Sequence, residues 1–275
     1  MSGIGHGRAR IIIGTLVALA AGISGAQAQQ CGNDGSGFSQ WKGEFAQVAA
    51  ANGVGDAGLS ALQGTSYASR TISADRQQGG GFKLTLDQFL ERRGGDAIVS
   101  RGTQMKQKNA DLLARIEANY GVPPGPILAI WGMETGFGGF LGNENILSAV
   151  ATLAYDCRRS EFFSEHLMGA LRLVDDGNLS PSAKGAAHGE IGQTQFLPAN
   201  VIRYGVDGDG DGRIDLIGSR ADALASTANF LRGHGWQPGA GYQQGEPNYG
   251  AIQGWNAATV YQQAIALLGA QIDAN

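Results

Sequence analysis

One carboxylate of this chain stands where a raised-pKa acid would be built. In the segment Ile130-Trp131-Gly132-Met133-Glu134-Thr135-Gly136-Phe137-Gly138, Glu134 ends an apolar run and precedes a glycine-rich turn. If the run is helical, its carbonyls turn partial negative charge toward the last turn, while Trp131 and its aliphatic neighbours strip water. Both effects disfavour the ionised side chain. A glutamic acid still protonated near neutral pH can donate to a leaving group. The bland alternative is a solvated Glu at a helix end.

Three further constellations carry polar chemistry. Gly189-Glu190-Ile191-Gly192-Gln193-Thr194-Gln195-Phe196-Leu197-Pro198 is a polar cluster flanked by glycines. Gln193 and Gln195 offer donors and acceptors suited to sugar hydroxyls or acetamido groups, and Phe196 could line a groove; a plain surface turn is the competing reading. Trp255, Asn256 and Tyr261 form a second set, in which the rings suit the flat apolar faces of sugars and Asn256 a polar substituent, unless they are ordinary packing aromatics. The third is Asp207-Gly208-Asp209-Gly210-Asp211-Gly212-Arg213-Ile214-Asp215, with acids at loop positions one, three, five and nine and glycine at six. This matches the front of an EF-hand loop, and crowded carboxylates repel unless a cation joins them. The candidate ligating set is Asp207, Asp209, Asp211, Arg213 and Asp215, with structural Ca2+ or Na+ as the ion. Gly218 stands where an EF-hand has its bidentate Glu, and Asp222 is a candidate substitute. His6, His166, His188 and His234 lack ligand spacing.

The elements that must position these groups read as helices. Pro123 and Pro124 can open one, Ile127, Leu128, Ile130 and Trp131 supply its buried face, and Gly136 is a natural stop. Phe38, Trp41, Phe45, Val48 and Ala49 share one face of a helix over 37–52. Similar periodicity predicts helices over 55–63, 85–92, 106–120, 146–155, 161–174, 221–232 and 264–268, with a glycine loop at 79–81. No alternating stretch is long enough for a substantial strand. The expected fold class is mainly α, with a small β or ribbon element near the middle.

Charge and export signals narrow the setting. A net charge of -4 and a pI near 5.6 argue against nucleic acid or an anionic membrane surface as partner. Arg8 and Arg10 precede an apolar run at 11–23, and Ala26-Gln27-Ala28 has the small-x-small form of a signal-peptidase site. Residues 1–28 therefore read as a signal peptide and 29–275 as the mature chain, with no membrane-spanning segment after cleavage. In an oxidising compartment the two cysteines, Cys31 and Cys157, most simply form one disulfide.

Taken together, five segments resemble one family in its own order. They are Tyr120-Gly121-Val122-Pro123-Pro124, the stretch from Trp131 to Gly138, Ala151-Thr152-Leu153-Ala154, Gly192-Gln193-Thr194-Gln195-Phe196, and the acidic loop. The chain is similar to the B-type lytic murein transglycosylases over about 106–236, with a weaker echo at Trp255 to Tyr261. The resemblance implies a lysozyme-like helical core, N- and C-terminal helices forming a second lobe, and a periplasmic enzyme acting on peptidoglycan glycan strands. It implies cleavage of the MurNAc-GlcNAc β-1,4 bond with 1,6-anhydro-MurNAc as product, no catalytic cofactor, and Glu134 as the one catalytic carboxylate. Gln195, Asn256 and Tyr261 match substrate-site positions of the family, and Trp255 takes the place of a tyrosine. Two departures stand out: Ala186 replaces a serine near the acid, and Glu190 occupies a place usually filled by alanine. Glu190 is then either a second carboxylate acting on Glu134 or an exposed loop residue. The competing functions are a lysozyme-type hydrolase using Glu134 with Glu190 or an aspartate, and a calcium-dependent wall-binding protein without turnover.

Overall fold

The computed structural model describes residues 30–77 and 84–275. The signal segment and the glycine triplet at 79–81 lie outside the described residues.

A short 3-10 turn, Gly35–Gly37, leads into α1 (Phe38–Ala51), which buries Phe38, Trp41, Phe45 and Ala49 as their spacing predicts, whereas Val48, expected on the same face, is exposed. Then come α2 (Asp56–Gln63) and α3 (Ser69–Arg76). Helix α4 (Leu86–Arg93) is opened by a reciprocal Thr85–Gln88 capping box and closed by Gly94 at φ 70°. A single helix over 106–120 was expected. The structure instead breaks at Asn109 between α5 (Gly95–Lys108) and α6 (Ala110–Tyr120).

Helix α7 (Pro124–Thr135) has prolines at its start and left-handed Gly136 at its end. Every residue from Gly125 to Met133 is buried, as expected of a helix apolar on all sides. It packs against α5 and against the last helix, α13 (Thr259–Ala274), so closely that a Cβ on Gly125 would lie 2.2 Å from the Gly269 carbonyl oxygen.

Two short strands, β1 (Glu144–Asn145) and β2 (Lys184–Gly185), pair antiparallel, with Glu144 opposite Gly185 and Asn145 opposite Lys184. Between and after them lie α8 (Ile146–Tyr155), α9 (Ser160–Asp175), α10 (Pro198–Tyr204), α11 (Arg220–Gly233) and α12 (Tyr249–Trp255). The mainly helical expectation holds, with this ribbon as its one sheet among the described residues.

Side chains bury into two clusters. One gathers around α7 and α13 and includes Phe89, Ile130, Trp131, Leu231 and Tyr261. The other joins α1 and α2 to α8 and α9 and includes Trp41, Phe45, Leu153, Phe163 and Phe196. Helices α1 and α2 belong to the second cluster, whereas α13 packs in the first with α4 and α5. The aromatic face of α1 meets Tyr155, whereas α13 brings Gly269 against Gly125 and Pro126 of α7. Cys31 and Cys157 form the expected disulfide across 126 positions, fastening the N-terminal segment to the end of α8. In the chain-entropy account such a closure contributes on the order of 4 kcal/mol.

Candidate active site

Glu134 lies in the last turn of α7, where the helix's negative end and its own burial act together. Its carboxylate lines a cavity of about 210 Å³ at the seam between the two clusters, with Glu190, Gln195, Phe196, Leu197, Asn200, Phe230, Trp255 and Asn256. Two donors converge on one oxygen: Tyr261 donates its hydroxyl to Oε1 at 2.7 Å and Trp255 its Nε1–H at 3.1 Å. Among the described residues both bonds fall on Oε1, which leaves Oε2 as the oxygen to carry a proton.

Burial raises the Glu134 pKa from its ordinary 4.5. The bonds from Tyr261 and Trp255 favour the anion and pull it back, the negative charge of Glu190 pushes it up again, and Arg93 pulls it down; the balance is upward. Arg93 stands behind the site at the end of α4. It donates to the Met133 carbonyl at 3.0 Å and lies over the rings of Phe89 and Tyr261. The same buried setting, with Glu134 as neighbour, raises Tyr261 well above 10.0, so its hydroxyl keeps the proton it donates.

The polar cluster at 189–198 divides. Gln195 adopts a left-handed backbone (φ 57°) and lines the cavity; its Nε2 donates to the Gly192 carbonyl at 2.8 Å, leaving Oε1 as an acceptor. Gln193, expected beside it, does not line the cavity. Its side chain is buried, with Nε2 3.4 Å from the Ile217 carbonyl oxygen, and its own carbonyl accepts from Thr135 Oγ1 at 2.6 Å. It therefore braces the end of α7. Phe196 is a buried floor, meeting Trp255 and Phe230 edge-on. Glu190 is not an exposed loop residue: its side chain is 21% accessible and it shares the cavity wall with Glu134.

Trp255 ends α12 and Asn256 follows it, the latter accepting from the Ala258 amide at 2.9 Å ahead of α13. Tyr261 reaches Glu134 from within the core and not from the cavity wall. Asn200, Leu197, Phe230 and Arg93 were not anticipated. Each is an isolated residue on a helix or at its border, and a sequence offers no local pattern for such positions.

The acidic loop lies apart, between α10 and α11. Oxygens of Asp207, Asp209 and Asp211 fall within 4.8 Å of one another, a donor set suited to a hard cation. Asp207 is held by backbone amides, with Gly212 first and Gly210 and Asp211 after it, and these lower its pKa below 3.8. Two expected ligands fall outside this cluster. Asp215 accepts from the amides of Ile217 and Gly218, and the Arg213 guanidinium donates to the Gly177 carbonyl at 2.8 Å. Buried Asp222 closes the loop by accepting from Gly208 and Asp215 amides at 2.9 and 2.7 Å.

Comparison with known proteins places this architecture. The sequence is 39% identical over 143 residues to membrane-bound lytic murein transglycosylase B of Escherichia coli, covering 51% of this chain; the chain spans only 39% of that relative's length. The fold superposes on SltB3 from Pseudomonas aeruginosa in complex with NAG-anhNAM-pentapeptide, with TM-score 0.78 and 30% identity, covering 86% of this chain and 79% of that one. It also matches the Escherichia coli lytic transglycosylase Slt35 in complex with calcium, with TM-score 0.72 and 26% identity over 89% of this chain and 96% of that one. Residues 37–245 match the family described as the transglycosylase SLT domain, a span that holds α7, the ribbon, the polar turn and the acidic loop. This chain belongs to the transglycosylase SLT domain family.

Proposed function

We propose that the chain is a lytic murein transglycosylase that cuts the MurNAc-GlcNAc β-1,4 bond of peptidoglycan and leaves a 1,6-anhydro-MurNAc end. The observation that carries this is the setting of Glu134: Tyr261 and Trp255 both donate to its Oε1, and the residue lines the cavity in surroundings that favour the protonated form. Glu134 first gives its proton to the glycosidic oxygen as the bond to C1 breaks. The resulting carboxylate then takes the proton of the muramic C6 hydroxyl as that oxygen bonds to C1. The proton returns to its donor, and no water is consumed. One carboxyl group suffices because the substrate supplies its own nucleophile, unlike the paired acids of ordinary glycosidases.

The remaining wall residues bind and orient. Trp255 and Phe196 offer an aromatic floor, Gln195 Oε1 and Asn256 offer polar contacts to sugar substituents, and Glu190 adds negative charge beside Glu134. The proton transfers ask nothing of a cofactor. At the acidic loop, Asp207, Asp209 and Asp211 would hold a Ca2+ or Na+ ion that braces the segment between α10 and α11. A signal peptide at 1–28, a catalytic domain at 29–275 and a periplasmic location fit together. The disulfide suits an oxidising compartment, and no helix among the described residues is long and apolar enough to cross a membrane.

Digestion of purified sacculi followed by mass spectrometry tests this directly. Anhydro-muramic ends are expected. Reducing ends would favour the hydrolase, in which Glu190 activates water across the same cavity, and no cleavage would favour a wall-binding protein.

A further inference from the structure

The turn that carries Glu190 is built tightly. The Ala186 amide donates to the Glu190 carbonyl at 3.2 Å and the Gly189 amide to the Ala186 carbonyl at 3.1 Å. Gly189 has φ 83°, and a Cβ there would lie 2.2 Å from Val150 Cγ2, so the turn is pressed onto α8. Within it His188 addresses both oxygens of Glu190: its backbone N–H donates to Oε2 at 3.0 Å, and its ring Nδ1 lies 3.3 Å from Oε1.

Behind the imidazole is a second carboxylate. His188 Nε2 is buried without a hydrogen-bond partner, and Asp75 Oδ1 lies 4.0 Å away. Asp75, at the end of α3, is 1% exposed and accepts from Arg76 Nη1 at 2.8 Å, from Arg158 Nε at 2.7 Å and from Arg159. Arg76 also reaches buried Asp156 at 2.6 Å, next to the disulfide. Burial alone would raise the Asp75 pKa, but the bonds from Arg158 and Arg159 outweigh it and hold the group below 3.8. Asp75 is therefore a fixed anion, and His188 sits between it and Glu190.

We propose that His188 is a positioning residue of the groove: set between Asp75 and Glu190, it holds the Glu190 carboxylate on the wall that Glu134 also lines. This deepens the transglycosylase reading and rests on Glu134 being the proton carrier. Its consequence is electrostatic. Burial dominates the affinity of Glu134 for its proton, and the charge of Glu190 adds to it only while that carboxylate is kept from swinging out to solvent. The charged and titratable groups in play are Glu190, Arg93 and Tyr261 around Glu134, His188 against Glu190, and Asp75 with its three arginines behind His188.

The pH profile of sacculus cleavage tests this in five proteins: wild type, Glu190→Gln, His188→Phe, the double variant of these two, and His188→Gln. Loss of the Glu190 charge should lower the Glu134 pKa and move the alkaline limb to lower pH. His188→Phe should move it in the same direction, the double variant should move it no further than Glu190→Gln alone, and His188→Gln, whose amide can still donate to Glu190, should restore most of the wild-type profile. If the phenylalanine variant does not fold, His188→Ala deletes the ring while keeping the backbone N–H and serves in its place. An unmoved limb without the His188 ring, or additive shifts in the double variant, would overturn the proposal. Glu134→Gln run alongside separates the two claims: cleavage by that protein refutes the role of Glu134 itself, whereas its silence with an unmoved limb refutes only the role of His188.

Discussion

Glu134 and Asp207 carry the same functional group into opposite surroundings. Glu134 lies in the last turn of a helix whose body is wholly buried, lines an open cavity, and has its pKa raised chiefly by burial. Asp207 is in an open loop where three backbone amides point at its oxygens, and its pKa is lowered. The first environment stores a proton and the second stores negative charge, so one suits transfer to a leaving group and the other a cation. Placement by the backbone, more than residue type, separates a group that holds a proton from one that holds charge.

Four changes would break or sharpen that contrast. Glu134→Gln keeps the shape of the side chain and removes the transferable proton; sacculus turnover should fall by roughly 10²–10⁴-fold with the far-UV CD spectrum retained. Next in size is the response to calcium. An ion at about one hundred times its Kd should stabilise the fold by about 2.7 kcal/mol, and a variant with Asn at positions 207, 209 and 211 should show no calcium-dependent rise in Tm. Tyr261→Phe removes a bond that favours ionised Glu134, so turnover should fall about tenfold and the alkaline limb should move up, opposite to the shift expected for Glu190→Gln.

The smallest effect is on stability. A raised folded pKa means that the contribution of Glu134 is full below about the ordinary 4.5 and is lost as pH rises through the folded value. For Asp207 the sign reverses: its contribution is present above 3.8 and lost as pH falls through the lowered value. Thermal melts of Glu134→Gln should therefore gain on wild type at pH 8 and converge with it near pH 4, whereas Asp207→Asn should lose ground near neutrality and converge only at acid pH.

Legibility in the sequence followed local physics. Helix α7 was readable because prolines, an unbroken apolar run and Gly136 all point the same way, and α8 because its apolar residues are continuous. Helix α3 was invisible because what it buries is Thr71 and Asp75, so no apolar stripe marks it. The break at Asn109 was hidden because the polar run Lys106-Gln107-Lys108-Asn109 holds no glycine or proline to mark it. At the site, Glu134, Trp255 and Tyr261 could be singled out one by one, but their convergence on a single oxygen could not, since two lie more than a hundred residues beyond the first. Gln193 turns inward toward Thr135, a partner 58 positions earlier in the chain that no local pattern marks. Asp75, His188 and Glu190 come together only because the end of α3 and the turn beside α8 meet in space.

The central claim is that the fold keeps Glu134 protonated where an ordinary glutamic acid has ionised. Selective 13C labelling of glutamate carboxyls, with Glu134→Gln to assign the resonance, reads that ionisation directly as pH is varied. A midpoint for Glu134 clearly above 4.5 is the predicted result, and a midpoint at or below 4.5 would contradict the account.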